Sequence, residues 1–182
     1  MRELSMHILD LAQNSIAAGA SRLEIEVAAD TNADRLVISL QDNGRGMAPD
    51  FVSRVKDPFV TTRTTRRVGL GIPMFDAAAR ACDGRLAIQS SPGKGTYLAA
   101  TFKLSHIDRA PLGDIASTIV TIIAVNPDLH LRYTQRVDDK AFIFDTDELK
   151  TQLDGVPLNE GPVLKWIGEY VKQGTSEETE IN

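Results

Sequence analysis

Two stretches early in the chain alternate apolar and polar residues without a break. Leu23, Ile25 and Val27 alternate with Arg22, Glu24 and Glu26, and Leu36, Ile38 and Leu40 repeat the pattern after a turn-rich Asp30-Thr31-Asn32-Ala33-Asp34. Side chains of a strand point to opposite faces in turn, so this is an antiparallel hairpin with one buried face. A sheet apolar on one face needs a layer of helices over that face. Residues 3–18 supply one: Leu4, Ile8, Leu11 and Ser15 lie on one helical face, widened by Leu9, Ala12 and Ile16, with Gly19 as the stop. The opposite stripe, Glu3, His7, Asp10 and Asn14, is polar and is either the wet side of the helix or one wall of a site. His7 is expected on the wet face or just behind such a site.

The second strand runs straight into Asp42-Asn43-Gly44-Arg45-Gly46-Met47. Asn-Gly often makes a tight hairpin turn, but no strand pattern resumes. Ala48, Pro49 and Asp50 look instead like the start of a short helix. The glycines therefore mark a loop whose backbone must approach something closely. Farther on, Gly69-Leu70-Gly71 leads into a helix expected from Pro73 to about Cys82, with Phe75, Ala78, Ala79 and Cys82 as its apolar side. Glycines at a helix N-terminus present free N–H groups to an anion. Gly93-Lys94 is not a phosphate loop of the Walker type, because Ile88 and Gly95 stand where that motif needs Gly and Ser or Thr. Leu86, Ile88 and residues 96–104 read as two further strands.

A chain of 182 residues with 42% hydrophobic and 25% charged residues can close a core, which excludes a disordered or collagen-like chain. The nearly apolar run 115–125 is interrupted by Ser117, Thr118 and Thr121 and falls short of the ~20 residues of a membrane span. With no leader-like pattern at the N-terminus, a cytoplasmic protein is expected. The lone Cys82 excludes a disulfide framework, and His7, His106 and His130 lack metal-ligand spacing. A net charge of −5 speaks against nucleic acid or an anionic membrane as partner. Arg54, Lys56, Arg63, Arg66 and Arg67 nevertheless gather in one stretch holding a single acid, Asp57. That stretch is either a local anion site or a solvated loop.

The order of these motifs carries a resemblance that none carries alone. Residues 10–15, 42–47, 57–62, 69–71 and 93–96 together resemble the GHKL ATPases, the superfamily of gyrase-type topoisomerases, heat-shock chaperones, histidine kinases and mismatch-repair ATPases. The likeness covers residues 3–104. Residues 57–102 are most similar to the catalytic domain of sensor histidine kinases, and the opening helix to the mismatch-repair branch. The resemblance implies an α+β chain built as a two-layer α/β sandwich, the Bergerat fold, with helices on one face of a mixed sheet. It implies ATP and Mg2+ as ligands, with Asn14 binding the metal through its amide oxygen and Asp42 accepting a hydrogen bond from the adenine amino group. Gly44, Gly46 and Met47 would wrap the base, and Gly69, Leu70 and Gly71 would face the phosphates. Thr96 would support Asp42. Phe59, Thr61, Thr62 and Arg63 fall in a stretch, about 55–68, that becomes a mobile lid in the family, and Arg63, Arg66, Arg67 and Lys94 would meet the triphosphate.

Two departures bear on chemistry. Asp10 stands where the mismatch-repair and gyrase branches place the glutamate that activates water, and is one methylene shorter. Ala17 replaces an aspartate that often follows the Asn. Little sequence precedes the first helix, so the phosphoacceptor hairpin of a sensor kinase is not expected, and an acceptor on a separate regulatory protein is. The functions expected are a stand-alone kinase acting on such a partner, a slow ATPase whose nucleotide state switches partner binding, or a nucleotide-sensing module without turnover; a homodimer is among the expected assemblies. Residues 1–104 form the expected ATP-binding domain, 105–173 a small C-terminal α/β extension, and 174–182 a disordered acidic tail. In the extension, a buried helix over 115–125, strands near 129–135 and 141–144, and a helix capped by Asp145 or Thr146 are expected. Val163, Trp166, Ile167 and Tyr170 make a helical stripe, ordinary core unless Trp166 and Tyr170 anchor a partner.

Overall fold

The computed structural model describes residues 3–57, 59, 70–177 and 179–181. Among them, α1 (Leu4–Ala17) leads into the hairpin β1 (Arg22–Asp30) and β2 (Arg35–Asp42), then α2 (Pro49–Val52), α3 (Gly71–Ala81), β3 (Arg85–Ser90) and β4 (Thr96–Lys103). There follow α4 (Ile115–Val125), β5 (His130–Val137), β6 (Lys140–Asp145), α5 (Thr146–Leu153) and α6 (Gly161–Glu177). The strands form one sheet in the order β3-β4-β2-β1-β5-β6. Every neighbouring pair is antiparallel except β1 and β5, which run parallel. The sheet is therefore mixed, and the architecture is the expected α+β sandwich.

Alternation along the strands sets the layers. Leu23, Ile25, Val27 and Ala29 of β1, Leu36, Ile38 and Leu40 of β2, and Leu98, Ala100 and Phe102 of β4 are all buried. Leu131 and Tyr133 of β5 continue the same core. Leu4, Ile8, Leu11 and Ala12 of α1, Phe75 and Ala79 of α3, and Ile119, Ile122 and Ile123 of α4 close over them. The other face carries Arg22, Glu24, Glu26 and Arg136, with ion pairs Arg22–Glu24 at 2.6 Å and Arg136–Glu26 at 3.8 Å.

Two expectations change once the layers are in place, and the choice left open for His7 is decided. The division at residue 104 does not divide the sheet: β5 adds directly to β1, from Arg22↔His130 to Ala29↔Val137. A parallel neighbour requires a crossover, which α4 provides by packing on α1. His7 is not on the wet face. It is buried, its ring 5.5 Å from Phe75, because α3 packs on that side of α1. The tail also departs from disorder, since α6 continues to Glu177 and Thr179 and Ile181 are buried. There the Gln135 side-chain amide donates to the Thr179 carbonyl at 2.6 Å, and the Tyr133 hydroxyl donates to Gln135. Burial pushes that hydroxyl far above the ordinary tyrosine range.

Helix ends show how far local chemistry reaches. Asp114 caps α4, accepting from the Ser117 N–H at 2.9 Å and the Ser117 hydroxyl at 2.6 Å, and Asp145 caps α5 through the Asp147 N–H. α1 has no side-chain cap. Its first donors, the N–H groups of Leu4 and Ser5, bond to the carbonyls of Pro111 and Leu112 at 3.0 and 2.8 Å. No helix among the described residues is long and apolar enough to cross a membrane.

The Ser117 hydroxyl and N–H hold the Asp114 carboxyl below its ordinary range, and the Ser105 and Thr31 groups do the same for Asp34 and Asp138. A carboxyl with a depressed folded-state pKa stabilises the fold above its unfolded value, about 3.9, and loses that contribution as pH falls through the folded value. Asp114→Ala should therefore cost about 1 kcal/mol in urea unfolding at pH 7. The gap from wild type should narrow below about pH 4. A gap of the same size at pH 3 would separate the cap from the carboxylate's charge.

Candidate functional site

A cleft of about 590 Å3 opens between α1, the end of β2, the loop after it, α2 and the start of α3, a size usual for small-molecule sites. Its walls are mixed. Leu11, Leu40, Phe51, Val55, Ile72 and Leu98 supply apolar surface, and Asn14, Ser15, Asp42, Arg45 and Thr96 supply polar groups. Such a lining suits a flat, partly apolar ring carrying a few hydrogen-bonding positions.

Asp42 is the last residue of β2, so the strand delivers its carboxylate to the cleft rim. One oxygen, Oδ2, accepts from the Ser15 hydroxyl at 2.7 Å, and Oδ1 accepts from the Gly44 N–H at 2.8 Å. Each oxygen retains a further acceptor position. The loop after Asp42 is held on both sides. The Asn43 side-chain oxygen accepts from the Ser21 and Arg22 N–H groups, both at 2.9 Å, and the Arg45 N–H donates to the Ala18 carbonyl at 2.9 Å. Gly46 adopts φ +67°, and a Cβ there would lie 1.9 Å from the Ser91 carbonyl oxygen. Any other residue would push the loop off the β3–β4 turn.

Thr96 opens β4 directly opposite Asp42, and its hydroxyl lies 2.9 Å from that of Ser90. The Met47 N–H donates to the same Ser90 hydroxyl at 2.9 Å. On the far side, Gly71 begins α3 against α1. A Cβ on it would lie 3.3 Å from Asn14 Nδ2 and 3.5 Å from Asp10 Cβ. Asp10 and Asn14 are half-buried one turn apart on α1, and the N-terminus of α3 meets them. A helix N-terminus of this kind attracts anionic groups.

Asn14, Asp42, Gly46, Met47 and Thr96 thus line one cleft, Gly44 lies buried beneath its rim, and Asp10 and Gly71 meet beside Asn14. Leu70 is half-exposed at the start of α3, while Phe59 and Lys94 are exposed and do not line the cleft. Thr61, Thr62, Arg63 and Gly69, with Arg66, Arg67 and most of the expected lid, lie outside the described residues. Ser15 is the residue that sequence reasoning missed. Its place on the apolar face of α1 marks it as buried, but nothing local says that it meets a carboxylate 27 positions later.

Residues 2–106 match the profile of the family described as histidine kinase-, DNA gyrase B-, and HSP90-like ATPase. The chain belongs to this family. It is 43% identical over 108 residues to the sensor protein kinase FleS of Pseudomonas aeruginosa, covering 59% of this chain and 26% of that protein. It is 30% identical over 117 residues to the non-motile and phage-resistance protein of Caulobacter vibrioides, covering 59% of this chain and 14% of that one. The chain therefore spans about a quarter or less of the length of these relatives. Among solved structures, the N-terminal domain of a DNA repair protein superposes with a TM-score of 0.53 at 14% identity, over 80% of this chain and 52% of that one. That likeness is one of fold, and its coverage exceeds the span of the family match.

Proposed function

We propose that this chain binds Mg-ATP in the cleft and transfers the γ-phosphoryl group to a separate regulatory protein. The observation that carries the reading is the convergence of three unlike features on one cleft. These are a carboxylate positioned by Ser15 and Gly44, an amide–carboxylate pair on α1, and the N-terminus of α3 packed against that pair. In this reading Asp42 accepts from the adenine amino group, with Gly44, Gly46 and Met47 around the base and Thr96 behind the aspartate. Gly69, Leu70 and Gly71 face the phosphates, and Phe59, Thr61, Thr62, Arg63 and Lys94 belong to the segments that reach the triphosphate.

The donor set fits Mg2+. The ion takes oxygen ligands, and one or two from protein suffice beside phosphate oxygens and water. Asn14 would hold it, and Asp10, a turn away, could bond its water. When bound, Mg2+ neutralises the charge that builds on the phosphate oxygens. Asp10 then orients the attacking hydroxyl of the partner. Its short side chain favours an acceptor brought close by a protein over free water, which is why transfer is preferred to hydrolysis. The same short reach supports a second reading, a slow ATPase whose nucleotide state controls partner binding.

Incubation with γ-labelled ATP and a cell extract, following both free phosphate and labelled protein, separates the two. Transfer labels a protein band; the ATPase reading releases phosphate alone; a module without turnover does neither. Asn14→Ala should weaken Mg-dependent ATP binding by calorimetry more than binding measured with EDTA. Equal losses in both would remove the metal role from Asn14.

A further inference from the structure

We infer that Ser90 determines base specificity in the cleft: it makes the Thr96 hydroxyl an acceptor, so that Thr96 and Asp42 together take both hydrogens of one amino group on the bound base. The inference rests on the cleft being an adenine-nucleotide site, as proposed above. Three polar residues form one row across the sheet. Asp42 at the end of β2 stands directly opposite Thr96 at the start of β4, and Thr96 stands opposite Ser90 at the end of β3. They share the parity of Leu40, Leu98 and Ile88, the apolar row two residues farther in, so they lie on the sheet face that the helices cover. The last row of that face is thus a polar floor, and Asp42 and Thr96 both line the cleft above it.

One placement of the hydrogens satisfies the whole cluster. The Ser90 hydroxyl oxygen meets three groups, each at 2.9 Å: the Met47 N–H, the Gly95 carbonyl and the Thr96 hydroxyl. A hydroxyl carries one hydrogen and two lone pairs. The Met47 N–H can only donate, which fills one lone pair. The Gly95 carbonyl can only accept, which takes the hydrogen. Thr96 is left to donate to the second lone pair, and every group is then paired. The reverse direction, Ser90 donating to Thr96, would strip the Gly95 carbonyl of that bond.

With its hydrogen committed to Ser90, Thr96 shows the cleft lone pairs alone. Asp42 does the same, since its oxygens hold the Ser15 hydroxyl and the Gly44 N–H and keep further acceptor positions. Two acceptors cannot bond each other, and among the described residues no hydrogen bond joins these side chains. Residues directly opposite in an antiparallel pair have Cβ atoms about 4.5–5.5 Å apart. Acceptors for the two hydrogens of one amino group, each about 2.9 Å from the nitrogen and roughly 120° apart, stand about 5 Å from each other. The spacing suits a single amino group held from both sides. A purine with an amino group at position 6 supplies it, whereas a carbonyl oxygen there would meet two acceptors and no donor. Asp42 alone would leave the second hydrogen unread.

Calorimetric titration in excess Mg2+ of ATP and of purine riboside 5′-triphosphate, which lacks only the amino group, reads that group's contribution as a ratio of affinities. Wild type should favour ATP. Thr96→Val removes the acceptor and should lower the ratio about three- to tenfold, by weakening ATP. Ser90→Ala should lower it by a similar factor although Ser90 does not line the cleft, because the Thr96 hydrogen is then free to turn toward Asp42. Thr96→Ser, which keeps the hydroxyl, should keep the ratio. If Ser90 only holds the loop through Met47, Ser90→Ala weakens both nucleotides alike and leaves the ratio unchanged, which overturns the proposal. Equal losses for both nucleotides in Thr96→Val also overturn it, since they mark a hydroxyl that donates to a ring nitrogen. Should Ser90→Ala bind neither nucleotide, Thr96→Val decides alone. Equal binding of the two nucleotides by wild type removes the adenine reading itself and this inference with it.

Discussion

Asp10→Asn is expected to lower turnover of ATP about 10²–10⁴-fold while ATP affinity stays within a few-fold of wild type. The substitution keeps the size of the side chain and removes only its ability to take a proton or orient an attacking group. An interaction made mainly in the transition state should change the rate and leave ground-state binding nearly untouched. The geometry that motivates this is the packing of Gly71 against both Asp10 and Asn14, which sets Asp10 beside the first residue of α3. Single-turnover transfer with γ-labelled ATP, set beside calorimetric affinity, reads the two quantities separately. Unchanged turnover would deprive Asp10 of a chemical role and favour a nucleotide-sensing module. Wild-type hydrolysis at about 10 s⁻¹, the pace of a dedicated enzyme, would show that no partner is needed and favour the ATPase.

A large loss of affinity, with kinetics secondary, is the expected outcome at Asp42. Ser15 and Gly44 hold the carboxylate at 2.7 and 2.8 Å and leave it acceptor positions for an exocyclic amino group. A hydrogen bond to a charged group is worth about 1.5–3 kcal/mol, so Asp42→Ala should weaken ATP binding at least tenfold. Adenine offers an amino donor where guanine offers a carbonyl oxygen, so wild type should prefer ATP to GTP and the variant should lose much of that preference. Ser15→Ala should produce a smaller loss of the same kind, because the carboxylate then lacks one of the groups that position it. Equal ATP and GTP affinity in wild type would sink the adenine assignment. So would a folded Asp42→Ala variant that binds ATP normally.

Both predictions concern residues legible before any fold was known. The alternation of β1 and β2 reports a hairpin with one buried face, and it runs without a gap into Asp42, so a carboxylate at a strand end could be read directly. The periodicity of α1 separates Leu4, Ile8 and Leu11 from Asp10 and Asn14 in the same way. The left-handed φ of +67° at Gly46 and the Asp145 cap of α5 are also local matters, decided by backbone conformation and by a side chain two residues away.

What only the tertiary structure decided lies in contacts between residues far apart in the chain. Periodicity says that a helix has an apolar face but not which element will cover the other, so the choice for His7 between the wet face and a place behind the site stays open until α3 lands on it. Composition makes residues 174–182 look soluble, yet Gln135 on β5 holds the Thr179 carbonyl and draws the segment in. The region after residue 104 looks like an appendix because nothing local marks β5 as the parallel neighbour of β1. That pairing places the extension in the same sheet, and the chain before α4 supplies the carbonyls that cap the N-terminus of α1. Side-chain pattern is a property of neighbours along the chain, whereas burial, pairing and the meeting of Ser15 with Asp42 depend on which surfaces the whole molecule brings together.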